Sequence, residues 1–324
     1  MPAPELASLS SRLSAAAPQV FRNLTVIPLI DGRAMPTGFP CLDRALDDGV
    51  AVVTEVSEQG NVPRLKFLNK GPQPVFLLDG EELVGAKQNR ILNLSILAPG
   101  NAELEIPVSC VEQGRWSWRS REFKNSERVI YSKLRRRNSE EVSASMLRSA
   151  DPSGNQGAVW DSIASKSARM SVHSDTSAAS AIFERYGHAL DEFVDQVKIL
   201  PAQVGAAFFV NDRFSGLDLL GGPDLVGSLL PKIVRSYAID ALEDEGSDGG
   251  LSPIDDVVKT SASESEGRAA VLEVIERVGR LAASRTKAAG LGEDLRLRDD
   301  SLIGAALVSS GAVVHLAVWS AAYR

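Results

Sequence analysis

The chain has 324 residues, 44% of them hydrophobic and 24% charged, with a formal net charge of −7. That length suits two domains or one large one, and the composition is near the globular average, so wholesale disorder is excluded. Two cysteines exclude a disulfide framework or a four-thiolate zinc site, and three histidines are few for a metalloenzyme.

No apolar run approaches the roughly 18 residues of a membrane helix, and the composition points to a cytoplasmic protein. The charge is uneven. Residues 1–150 carry 19 Lys and Arg against 17 Asp and Glu, whereas 151–324 carry 16 against 25. An acidic balance argues against a general nucleic-acid coat. The first 19 residues are rich in Ala, Ser and Pro and lack the basic and apolar stretches of a signal peptide. They predict a loose tail with a short helix over 5–14.

From 23 to 111 the signal is β. Strands are predicted over 24–30, 51–56, 65–69, 75–79, 91–97 and 103–108, with a short helix over 41–48. The last strand alternates cleanly, Leu104, Ile106 and Val108 against Glu103, Glu105 and Pro107. That is the period of a half-buried strand, and short turns between strands favour an antiparallel sheet or sandwich.

The segment 115–148 carries ten basic and four acidic residues interleaved with Trp116, Trp118, Phe123 and Tyr131. With the Ser-rich stretch that follows, it reads as an excursion over 115–181, anchored by Trp116 and Trp160. A helix is predicted over 182–197, from Ile182, Tyr186, Leu190, Phe193 and Val197 at helical spacing. A hairpin over 204–220, a helix over 224–242 interrupted by Pro231, an acidic solvated loop over 240–266, a helix over 266–289 and strands to 319 complete the chain. Helices and strands do not alternate, so the fold class is α+β: a mostly antiparallel β part (20–114) followed by a mixed half (182–324) packed with it as one domain.

The chemistry is concentrated in VFLLDGEELVGAKQNRILN (75–93), where an apolar strand runs into Asp79, Glu81, Glu82, Lys87, Gln88, Asn89, Arg90 and Asn93. A second polar group, from Ser109 through Glu112 to Arg115 and Trp116, follows the next strand. Gly80, Gly85 and Lys87 imitate a phosphate loop, but Gln88 replaces its Ser or Thr and a strand follows instead of a helix. Glu81, Glu82 and Glu112 are candidate general acids or bases. Asp79, Lys87, Gln88, Asn89, Arg90, Asn93 and Arg115 are candidate ligand-binding residues. The bland alternative is an ion-pair cluster that holds strands together.

Cys110 is a candidate nucleophile whose apolar flanks favour a buried, unreactive thiol. His315, in an apolar strand, suits a hydrogen-bonded core residue. The Trp- and Arg-rich run 115–121 and Arg135-Arg136-Arg137 could contact nucleic acid, against the acidic whole. No metal site is predicted, and the cofactor is unknown.

DGEELVGAKQNRILN (79–93) followed by IPVSCVEQGRW (106–116), with FRNLTVIPL (21–29) and SYAIDAL (236–242), resembles the ARG and rhodanese-phosphatase superfamily associated protein family. The family is a domain of unknown function named for its association with ADP-ribosylglycohydrolases and rhodanese-like phosphatases. The resemblance implies work on ADP-ribose-like or other phosphorylated metabolites and carries no catalytic residues across. Two functions follow. One is binding, with or without hydrolysis, of an anionic nucleotide-type metabolite. The other is a non-enzymatic interaction module that docks a protein partner or a second copy of the chain.

Overall fold

The computed structural model describes residues 2–58, 60–246 and 264–323. The fold is α+β, and its strand ladders are antiparallel. The chain divides into two compact units, Met1–Gly38 with Leu190–Ala288 and Gly292–Arg324, and Phe39–Ala189 with Ala289–Leu291.

The first unit is built on a nine-stranded sheet, among the described residues. Its centre pairs Leu24–Ile30 with Gln203–Val210, then Arg213–Leu220, Ala312–Ser320 and Leu302–Ser309. Every residue of Gln203–Val210 is buried because both faces are covered. On one face Phe208 stacks on Tyr237 of the helix Pro223–Gly246, with ring centroids 4.0 Å apart. On the other, Ala207 and Phe209 share a core with Val271, Ile275 and Val278 of the helix Glu264–Arg280. A strand covered on both sides reads as a continuous apolar run, as this one does.

Leu6 and Leu9 are buried in the same core, so the first residues are tied down rather than loose. They form the helix Pro4–Ala7 and a 3₁₀ turn over Leu9–Ser11 in place of the helix predicted over 5–14. The helix predicted over 182–197 is two, Ser180–Arg185 and Gly187–Gln196. Residues 240–246 continue the helix Pro223–Gly246, with Asp240 buried, instead of opening the acidic loop. Residues 247–263 of that loop lie outside the described residues. His315 is buried in this unit, its Nε2 3.3 Å from Asp218 Oδ1.

The second unit carries the polar motifs. Its six-stranded sheet runs Phe123–Val129, Glu81–Gly85, Arg90–Leu92, Ala102–Cys110, Arg64–Asn69, Ala51–Glu55. The two edge strands meet at the antiparallel bridge Thr54↔Glu122, so the sheet curls into a small barrel. Side chains two apart on a strand share a face. Val53, Leu65, Phe67, Leu83, Leu92, Ile106, Val108 and Phe123 form its core. Six strands leave an interior that side chains fill.

The single strand predicted over 91–97 is interrupted, giving Arg90–Leu92 in the barrel and Ile96–Ala98, which pairs with Val75–Leu77. The stretch 115–181 supplies the edge strand Phe123–Val129 and the helices Ser132–Ser149 and Gln156–Arg169 to this unit. Tyr131, Leu134, Val142 and Ile163 are buried. Trp116, predicted as a buried anchor, is 49% exposed.

Candidate functional site

At one end of the barrel the last residues of Ala51–Glu55, Glu81–Gly85 and Ala102–Cys110 meet the first residue of Arg90–Leu92. The register pairs Cys110 directly with Arg90, which brings the two polar motifs together.

The turn between Glu81–Gly85 and Arg90–Leu92 is unusual. Gly85 has φ +135° and Ala86 has φ +39°, the latter a costly value for a side chain with a Cβ. Arg115 holds this turn. Its Nη1 donates to Ala86 O at 2.8 Å and Ser117 O at 3.0 Å, and its Nη2 donates to Gly85 O at 3.3 Å and Asn89 Oδ1 at 3.1 Å. Nε and Nη2 also donate to Glu112 Oε2, at 2.9 and 2.6 Å. Glu112 Oε1 accepts from Thr176 Oγ1 at 3.0 Å, and the Asn89 amide donates to Oε2 at 3.2 Å. Burial pushes the Glu112 carboxyl up, but the bonds from Arg115, Asn89 and Thr176 outweigh it and hold the carboxyl below its ordinary range.

Asn89 extends the network, its Nδ2 donating to Glu82 Oε1 at 3.2 Å. Glu82 Oε2 is 3.1 Å from Arg128 Nε. Burial raises the Glu82 carboxyl, and Arg128 and Asn89 only partly offset it. Gln88 donates to Glu112 O at 2.9 Å and accepts from Arg90 Nη1 at 2.7 Å. Glu82, Gln88, Asn89, Arg90, Glu112 and Arg115 are therefore one connected group.

Four of the sequence candidates lie beside that group rather than in it. Glu81 is buried and accepts from the Leu78 amide at 3.3 Å. Asp79 pairs with Arg135 of the helix Ser132–Ser149 at 2.9 Å. Asn93 Oδ1 accepts from Ser109 at 2.7 Å, and its Nδ2 donates to Pro152 O at 3.2 Å. Lys87 donates to Glu58 O at 2.6 Å and stands 5.2 Å from the Trp116 ring and 5.0 Å from Trp118.

Arg90 differs from every other cation of the group. It is wholly buried, 5.7 Å from the Trp116 ring centre, and among the described residues its Nε and Nη2 meet no acceptor but the weakly accepting Cys110 sulfur. Burial pulls the guanidinium pKa down, against Cys110 and Glu55, which favour its charge. Glu55, which lies outside the two polar motifs, is itself buried, and among the described residues neither of its oxygens has a hydrogen-bond partner. Trp160 is a third residue of this kind, its Nε1 having only the Cys110 sulfur beside it. Cys110 is fully buried, and burial raises its thiol. Among the described residues no group of three or more His, Cys, Asp or Glu is placed to hold a metal ion, and no helix is long and apolar enough to cross a membrane.

Fold and site together define an α+β protein in which a small antiparallel barrel carries a buried polar network at one end. The chain belongs to the family of the ARG and Rhodanese-Phosphatase-superfamily-associated Protein domain, whose model matches residues 12–319. No curated protein and no solved structure matched it.

Proposed function

We propose that the chain binds a small anionic metabolite at the Arg90 end of the barrel. The observation that carries this is the pair of donors on Arg90, Nε and Nη2, that meet no acceptor but the Cys110 sulfur among the described residues. A buried charge costs several kcal/mol to desolvate, and native structures satisfy such groups. A guanidinium with Nη1 already fixed by Gln88 and two donors left only the Cys110 sulfur is preorganised for a carboxylate or phosphate oxygen. Ends of barrels and perturbed ionisable groups are common places for ligands. Lys87, in reach of Trp116, supplies a second charge, and Gln88 orients the first. Trp116 stands 5.7 Å from the Arg90 guanidinium, so its fluorescence is a reporter of occupancy.

Hydrolysis would need one of Glu81, Glu82 or Glu112 to face the bound molecule. Of these, Glu82 has the raised carboxyl suited to a general acid. The family association makes ADP-ribose the first nucleotide to try, beside pyrophosphate. A ligand at 100 times its dissociation constant stabilises by about 2.7 kcal/mol, which a thermal-shift assay detects. The result expected is a shift with wild type that is lost in Arg90→Gln. A shift that survives Arg90→Gln unchanged sinks the proposal.

A second reading rests on the network itself. Every donor of Arg115 is used within the protein, which supports a structural lock such as a non-enzymatic interaction module would keep. Failure of anions to bind would favour it.

A further inference from the structure

We propose that Glu55 is the second ligand-binding residue of this barrel end, and that the bound molecule is an anion that also carries hydroxyl donors. This rests on the anion-binding role of Arg90.

Glu55 ends the strand Ala51–Glu55, and its two-residue alternation puts it on the inner face with Ala51 and Val53. Arg90 shares the inner face with Leu92, and Cys110 with Val108. Glu55 is 7% exposed, yet among the described residues neither carboxylate oxygen has a hydrogen-bond partner. Its charge bears on Arg90, but no ion pair joins the two. A structural pair would close to contact. Holding both charges buried and apart costs more than replacing them by apolar residues. The arrangement becomes favourable once a molecule bridges it.

An anion alone meets repulsion from Glu55, so the molecule must turn a donor toward that carboxylate while giving acceptors to Arg90. A hydroxyl fits better than an ammonium. Lys87 and Arg90 already stand within 5.2 and 5.7 Å of one Trp116 ring, and a third cation would meet both.

The test is calorimetry on the full chain with two probes, methyl phosphate and glycerol 3-phosphate. Wild type is expected to prefer glycerol 3-phosphate by about tenfold, the value of one hydrogen bond to a charged group. In Glu55→Gln the preference should shrink to within about threefold through weaker glycerol 3-phosphate binding. Methyl phosphate should bind that variant at least as well, and its unliganded melting temperature should not fall. Equal affinity of wild type for the two probes, or a preference that survives Glu55→Gln, overturns the role of Glu55 while leaving Arg90 intact. So does a Glu55→Gln chain that does not fold, because an unpaired carboxylate would then be structural. Binding of neither probe to wild type removes the anion site itself, and this proposal with it.

Discussion

Arg115 grips a single oxygen of Glu112 with two donors, Nε at 2.9 Å and Nη2 at 2.6 Å, in surroundings where both side chains are almost wholly buried. The same guanidinium ties down the strained turn at Gly85 and Ala86. Breaking a buried pair by removing one partner leaves an uncompensated charge and costs about 3–5 kcal/mol. Arg115→Ala is expected to lose at least that much in urea unfolding. A loss under about 1 kcal/mol would mean that the pair is dispensable, as surface pairs are.

Glu112 and Glu82 should respond to acid in opposite directions. Glu112 has a folded pKa below its unfolded value of about 4.3. Its contribution is therefore complete above that value and is lost as pH falls through the folded pKa. The stability gap between wild type and Glu112→Gln should be large at neutral pH and close in acid.

Glu82 has a raised folded pKa, so its contribution is complete below about 4.3 and is lost as pH rises through the folded value. Glu82→Gln should then be at least as stable as wild type at neutral pH. The advantage should fade in acid. Melting temperatures from pH 3 to 8 decide both cases.

The two thiols should be silent in the native state. Cys41 and Cys110 are both buried, and burial raises Cys110 further from the thiolate form that reacts. Reagents that count thiols should find neither in the folded protein and both after denaturation. Fast native labelling of Cys110 would contradict the structure.

Gly80 is a backbone requirement. Its φ is +75°, and a Cβ there would stand 2.6 Å from Arg135 Cγ. Arg135 cannot move aside freely because it is buried and paired with Asp79. Gly80→Ala should cost at least about 1–2 kcal/mol, the usual cost of the left-handed region, with the clash added. The same change at Gly38, where a Cβ meets nothing within 4 Å, carries only the backbone part.

Alternation over 103–108 located the strand Ala102–Cys110, and the strands read over 51–56 and 65–69 lie in Ala51–Glu55 and Arg64–Asn69, whose burial alternates. The alternation over 51–55 also held the clue to Glu55, an acid in register with Ala51 and Val53 on the inner face, which a search for dense polar motifs overlooks. The helix Ser132–Ser149 was illegible for a different reason. Its arginines count as solvent-facing by composition, whereas Arg135 is buried and paired with Asp79, distant in sequence. Closure of the barrel at Thr54↔Glu122 joins strands that no local pattern links.

The chain order of the two units has a consequence for how the molecule is made. Ile27 pairs with Ala207, yet the whole stretch 39–189 that forms the other unit lies between them. During synthesis the barrel is complete before the neighbour of Leu24–Ile30 leaves the ribosome. Long-range strand pairing is slow because loop closure precedes any reward. The barrel amides should become protected first in pulse-labelled refolding, and the Leu24–Ile30 edge should stay available to wrong partners until residue 203 arrives. Simultaneous protection of both units would show that the wide sheet does not wait.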